Sequence, residues 1–267
     1  MKLRLEKLTH LLSDTGRRII EMIDISGYTI LLLLETAYYL KDVFAKRKEI
    51  SKQMYIAGVK SLLVVSLVAM FTGMILALQT GVELMEFQMQ DRVGNVVIAS
   101  MTREFAPLMT AIIILAFVGS AMAAEIATMQ VSEEIDALLM MSISPVKFLV
   151  MPRVVALAIV LPMSVVYSNV LGTLGGALIA KFQLRISYDT YYMHVLQSLH
   201  FKATYVGLLK AFIFGIVISG VSCAQGLRAK NGAIGVGKAT RSSVVISFLI
   251  VLTFGYFITS IFYGRTF

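Results

Sequence analysis

The sequence predicts an all-α integral membrane protein. N-terminal interfacial amphipathic helices precede about five transmembrane helices, with a short cytoplasmic helix between spans two and three. Three observations carry this reading. The 267 residues are 58% hydrophobic and only 15% charged, against about 25% charged in a typical soluble domain. The apolar residues gather into runs that reach the ~20 residues a bilayer crossing needs. Basic residues crowd the flanks of those runs, and eleven of the 24 Lys and Arg fall in the first 60 residues. Such placement sets membrane orientation, so the net charge of +8 is not read as a nucleic-acid surface.

Residues 1–50 form a separate N-terminal region. Its apolar stretch YTILLLLETAYYL (28–40) is 13 residues long, carries Glu35 and stands behind 27 mostly amphipathic residues. That is short for a span and badly placed for a cleavable signal peptide, which puts a short charged region directly before the apolar one. We read 1–45 as one or two helices lying on the membrane, apolar faces in lipid and basic residues at the headgroups. A short sixth span is the competing reading.

The transmembrane domain occupies 51–267. Span one covers 54–79. Region two, 93–129, would measure about 55 Å as a straight helix against ~30 Å of hydrocarbon, so it must protrude, tilt or break, and Pro107 is the expected bend. Region three, 146–180, contains Pro152 and Pro162. Spans four and five cover 203–227 and 242–263. With the N-terminus inside, 17 Lys and Arg lie on the cytoplasmic side and five outside, which satisfies the positive-inside rule and puts the C-terminus outside.

VSEEIDALLMMSISP (131–145) then falls in the cytoplasm. Ser132 is a plausible N-cap, and Glu133, Glu134 and Asp136 suit the positive end of a helix dipole. Ile135, Leu138 and Leu139 make an apolar stripe, and Pro145 ends the element. Acidic residues are poor partners for an anionic inner leaflet, so the helix is better read as docking into a protein groove than as lying on lipid.

Arg103 and Glu104 sit inside region two, and Lys210 inside span four. A charge at a helix centre costs roughly 2.5–3.5 kcal/mol on insertion scales. Adjacent helical residues point about 100° apart, so Arg103 and Glu104 need other partners or a water-filled cavity. Lys210 is the expected partner of Glu104, and snorkelling at the outer interface is the bland alternative.

NGAIGVGKAT (231–240) mimics a phosphate loop through Gly232, Gly237 and Lys238, but Ala239 stands where the Mg²⁺-binding hydroxyl belongs, and no strand precedes it. Its glycines, Gly235 included, suit a tight cytoplasmic turn or close helix packing. Ala116, Ser120 and Ala124, and separately Gly172 and Gly176, have the spacing for close helix approach within one chain or across a dimer. Cys223 is the single cysteine and three histidines stand at unrelated spacings, so no metal site or catalytic constellation is expected.

The stretch TREFAPLMTAIIILAFVGSAMAAEIATMQVSEEIDALLMMSISPVKFLVMPRVVA (102–156) resembles the MlaE/YrbE family of ABC-transporter permeases. The resemblance rests on Arg103, Glu104 and Pro107; on Gly119, Ser120 and Ala121; on Ala124, Glu125, Ile126 and Met129; on Glu133 to Leu138; and on Pro145, Leu149, Val150, Pro152 and Arg153. GLRAKNGAIGVGKAT (226–240) is similar to the family's glycine-rich loop. There are two departures. Phe117 replaces the usual Arg two places before the Gly-Ser pair, and Arg241 follows Thr240 where a second Thr is usual. Arg241 is a candidate to supply the contact that Phe117 lacks.

The resemblance implies a non-catalytic membrane subunit of an ATP-driven phospholipid transporter, moving lipid between the inner and outer membranes of a bacterium. It implies a homodimer in the inner membrane with a cytoplasmic ABC ATPase on each subunit. That ATPase binds ATP and Mg, so this chain needs no cofactor of its own. An MCE-domain lipid carrier stands outside, and in some systems a STAS-domain protein binds the ATPase. Residues 131–145 become the coupling helix, with Glu133, Glu134, Ile135, Asp136, Leu138 and Leu139 as its contact residues. Leu76, Leu84 and Phe87 are expected to touch acyl chains, with Arg103, Glu104 and Lys210 near the path. The competing function is an ion channel or proton-coupled carrier built on Arg103, Glu104 and Lys210.

Overall fold

In a bilayer, backbone N–H and C=O groups find partners only in one another, so long apolar runs become helices. A computed structural model describes residues 20 and 23–264, and every regular element among them is helical. Helix α1 covers 23–38 and closes in a 3₁₀ turn at Tyr39–Asp42. The next two helices, α2 (Arg47–Glu86) and α3 (Gln90–Val131), are spans one and two. They lead to the short α4 (Glu134–Met140) and then to span three, α5 (Val146–Phe182). After α6 (Tyr188–Ser198) come spans four and five, α7 (Phe201–Leu227) and α8 (Gly232–Tyr263). Among the described residues, five helices are therefore long and apolar enough to cross a membrane, and the described part of α1 is not among them. The part of the expected N-terminal helices in 1–19, and Arg265, lie outside the described residues.

Helices α5 and α7 form the centre. Their most apolar windows are 72% and 67% buried, against 28% for α2 and 22% for α8. The flanking helices leave Leu63, Leu67, Phe71 and Ile75 (α2) and Leu249, Phe254, Phe257 and Ile261 (α8) exposed, an apolar surface suited to acyl chains. Helix α1 lies at the α4 end of the bundle. It packs Leu32 and Leu33 against the cluster formed by Ile126, Ile135, Val150 and Cys223, while Ile30, Leu31, Leu34 and Tyr38 stay exposed. Lys147 ties its trailing 3₁₀ turn to the start of α5 through Asp42, at 2.7 Å.

Lipid tails are as apolar as leucine, so the helices hold together by close fit and by hydrogen bonds rather than by a hydrophobic drive. A Cβ on Gly73 would stand 1.8 Å from Gly172 O, and one on Gly175 2.3 Å from Met70 O. Helices α2 and α5 thus touch backbone to backbone, and the Gly172/Gly176 spacing serves packing within one chain. Ser243 Oγ donates to Ser222 Oγ at 2.9 Å in the buried seam between α7 and α8.

Several expectations need correcting. Helix α3 contains π turns at Met101–Phe105 and Leu115–Gly119, and Pro107 sits at the start of the α-helical segment after the first turn. The irregularity therefore precedes the proline. Ser132 does not cap α4. It ends α3, donating to Thr128 O at 2.6 Å, and the N-cap is Glu133 in a left-handed conformation (φ 61°). The glycine-rich segment is not a loop: Gly232, Gly235, Gly237 and Lys238 lie in the first two turns of α8, after a turn closed by Asn231 (φ 68°). Within it only Gly235 meets a close neighbour, Lys230 O, at 1.7 Å from an ideal Cβ. Helix α6 was not anticipated. Ser187 caps it, accepting from Thr190 N at 3.1 Å, and Tyr191 and Val195 bury its inner face. That cap and i,i+4 pair were the available signal.

Glycine substitutions separate these roles. Gly73→Ala is expected to force α2 off α5 and lower the melting temperature in detergent by several degrees. Gly237→Ala, whose Cβ would meet nothing within 4 Å, is expected to be neutral or to stabilise by up to ~1 kcal/mol through helix propensity. Equal melting shifts for the two variants would contradict the packing described.

Candidate functional site

The intramembrane charges converge. Gly207 on α7 lies so close to α3 that a Cβ would stand 2.3 Å from Thr102 O. About one turn on, roughly 4.5 Å along α7 at 1.5 Å per residue, Lys210 enters the π turn of α3. Its Nζ donates to Glu104 Oε1 at 2.7 Å, to Arg103 O at 2.8 Å and to Thr259 Oγ1 of α8 at 2.7 Å. An ammonium has three N–H donors, and all three are engaged.

The carbonyl of Arg103 is available because Pro107, four residues on, has no N–H to offer it. Thr259 Oγ1 also lies 2.7 Å from Glu104 Oε1 and 2.9 Å from Gly255 O, and its single proton serves one of them at a time. Lys210 is 1% exposed, whereas the Glu104 side chain is 44% exposed. The carboxylate therefore presents its free side at a small cavity of about 70 Å³ that Pro107, Phe214, Leu252 and Tyr256 also line. The expected Glu104–Lys210 partnership is present, and Thr259 is the member that sequence reasoning missed. A threonine inside an apolar span carries no distinguishing signal.

Arg103 points elsewhere, its guanidinium 5.0 Å from the centre of the Tyr263 ring, with Lys202 Nζ 5.2 Å from the same ring. Leu76 and Leu84 are half-buried against the main core. Phe87, just past the end of the long α-helical run of α2, is 71% exposed.

At the opposite end of the bundle, α4 divides its residues between two sides. Ile135 is buried and Leu138 half-buried in the cluster under α1, so both anchor the helix to its own chain. Glu133, Glu134 and Asp136 are exposed, as are Leu139, Met140 and Met141. The outward face is therefore apolar with an acidic margin, and Met140 and Met141 belong to it although the sequence stripe did not include them.

A second ion pair stands beside α4. Arg153, 3% exposed on α5, reaches Glu125 of α3 at 2.7 Å, and its Nε and Nη1 have no hydrogen-bond partner among the described residues. Arg153 is thus buried within α5. The pair clamps α3 to α5 just where the chain leaves for α4 and returns. Phe117 is half exposed. Arg241 makes no ion pair or hydrogen bond among the described residues.

These features define a class: a polytopic helical membrane protein with a short helix exposed at one end of the bundle and an ion cluster inside the spans. Residues 50–261 match the family model described as Permease MlaE. A probable ABC transporter permease protein of Rickettsia typhi is 39% identical over 212 residues, covering 79% of this chain and 82% of that protein. A probable ABC transporter permease protein of Synechocystis is 32% identical over 257 residues, covering 96% and 95%. One of Pyropia yezoensis is 32% identical over 226 residues, covering 84% and 86%. The chain belongs to the MlaE permease family, as a membrane component of the ABC-transporter type.

The cluster makes an asymmetric prediction. Glu104→Leu strands a fully buried ammonium among neutral oxygens, whereas Lys210→Met leaves a half-exposed carboxylate that water can reach. Glu104→Leu should therefore destabilise more, by about 2 kcal/mol or more, and the double variant should lie closer to wild type than the sum of the two. Additive losses in a double-mutant cycle read by thermal melts would show that the pair is not coupled.

Proposed function

We propose that this chain is the permease subunit of an ATP-driven phospholipid transporter, working as a homodimer with a separate cytoplasmic ABC ATPase on each subunit. The observation that carries the proposal is the outward face of α4. Three consecutive exposed apolar residues, Leu139, Met140 and Met141, stand next to exposed carboxylates, and their underside is pinned by Ile135. A seven-residue helix held this rigidly at a bundle end suits a lever set in a partner's groove. The α3–α5 clamp of Glu125 and Arg153 would pass its movement into the central helices. ATP and Mg are bound by the partner.

In this reading the α4 end faces the cytoplasm of a bacterial inner membrane. The ion cluster lies toward the periplasmic side, where an MCE-domain carrier would exchange lipid with the permease; a STAS-domain protein would act on the ATPase. Lipid would lie between two copies, against Leu76, Leu84 and Phe87, with the open side of Glu104 facing the path. The dimer contact suits the face of α3 on which Ala116, Phe117 and Ala121 remain exposed. An ion-carrier role for the charged trio is not favoured. Lys210 has every donor engaged, which fits a fixed structural cation better than a carried charge.

Reconstitution with a cognate ABC ATPase tests the reading. ATP-dependent transfer of fluorescent phospholipid out of proteoliposomes is expected, and Leu139→Asp/Met140→Asp should abolish it while leaving the melting temperature within a few degrees of wild type. ATP-independent ion flux, or full transfer by the double variant, would overturn the proposal.

A further inference from the structure

A cavity of about 500 Å³ opens at the α4 end between α1, the end of α7 and the first turns of α8. Ile25 and Tyr28 form its α1 wall, Gln225 and Arg228 its α7 wall, and Lys230, Gly235, Lys238 and Ser242 the rest. Its size is that of a small-molecule site. Neither the ion cluster nor the docking face of α4 uses it.

Three independent features give it a sign. Helix α8 has 32 residues and starts here, and its N-cap Asn231 makes no side-chain cap hydrogen bond. The early N–H groups and the positive dipole end are thus left for an outside acceptor. Arg228 is neutralised by Asp24, to which its Nη2 donates, but Lys230 and Lys238 make no ion pair among the described residues. Gln225 is 7% exposed, lines the same cavity, and its Nε2 has no hydrogen-bond partner among the described residues. Leaving a buried carboxamide without a partner is unfavourable, and a ligand oxygen within reach of the amide would offset that. A half-turn of the amide lets it offer its N–H₂ from either position.

We propose that this cavity binds the phosphate group of an anionic ligand, held by Lys230, Lys238, the Gln225 amide and the N-terminal turn of α8. Ala239 stands where a nucleotide loop would place its metal-binding hydroxyl, so the chemistry is that of a bare phosphate rather than of a magnesium nucleotide. The phosphate belongs either to the headgroup of an anionic lipid, since the exposed apolar side of α1 adjoins the cavity, or to a soluble phosphate. The site does not depend on which substrate the spans transport, and its failure would leave the transport reading intact.

Calorimetric titration of the purified full-length chain in non-ionic detergent tests this, using inorganic phosphate, dihexanoyl phosphatidylglycerol and the zwitterionic dihexanoyl phosphatidylcholine. Saturable binding of at least one of the two anionic probes, stronger than that of phosphatidylcholine, is expected. It should weaken by roughly tenfold or more in Lys230→Gln/Lys238→Gln, since charge-assisted hydrogen bonds are the strong ones. Gln225→Leu should weaken it as well. The lysine variant alters only exposed positions, which guards against a loss that merely reflects misfolding of Gln225→Leu. Binding of phosphatidylglycerol without inorganic phosphate would identify a headgroup site, and equal binding of both a soluble-phosphate site. No saturable anion binding, or wild-type affinity in the lysine variant, would overturn the proposal.

Discussion

One ammonium group fixes the geometry of the bundle at the end opposite α4. Hydrocarbon offers no water, so a buried Lys210 must find three acceptors within the protein. It finds them on two other helices: the carboxylate of Glu104 and the carbonyl of Arg103 on α3, and the hydroxyl of Thr259 on α8. Each acceptor depends on a separate local feature. The carbonyl is open to it because Pro107 has no N–H, and the close approach is open because Gly207 has no side chain. The carboxylate also lies within hydrogen-bond reach of Thr259 Oγ1, at 2.7 Å. Three spans are thereby held in register by a group that would be intolerable without them.

Elsewhere the helices meet through absent atoms. Gly73, Gly172 and Gly175 let α2 and α5 touch at the backbone, and such contacts permit little sliding without a clash. Helix α3 differs, because its two π turns interrupt the regular ladder between the ion cluster and the Glu125–Arg153 pair. Interruptions of this kind are frequent at functional sites. They place the least regular backbone of any span between α4 and the cluster, which is where a movement begun at one end would have to be absorbed or passed on.

Much of this was legible in the sequence, for identifiable reasons. Hydropathy depends only on local composition, so the five spans were readable from runs of apolar residues. Glu104 and Lys210 could be matched because intramembrane charges are rare enough to need each other. What stayed hidden depends on three-dimensional neighbours. Thr259 resembles any other threonine in a span, and nothing in the local sequence pairs Arg153 with Glu125, 28 residues before it. Ile135 and Leu139 share a stripe by helical periodicity, yet only packing under α1 decides that one faces inward and the other outward. The glycine-rich segment read as a loop because glycine disfavours helices, but Asn231 takes the left-handed conformation and the helix begins at once.

The proposed function joins two ends of one molecule: the exposed face of α4, which would meet the ATPase, and the ion cluster, which would stand beside the lipid path. The most direct measurement is a cryo-EM structure of the chain with its ATPase in lipid nanodiscs, without nucleotide and with ATP bound. The account predicts Leu139, Met140 and Met141 seated in a groove of the ATPase and acyl-chain density against Phe87 and the open side of Glu104. It also predicts a shift of α3 and α5 between the two states while Lys210 stays bound to Glu104. An ATPase seated away from α4, or a lipid path on a face remote from Glu104, would contradict it.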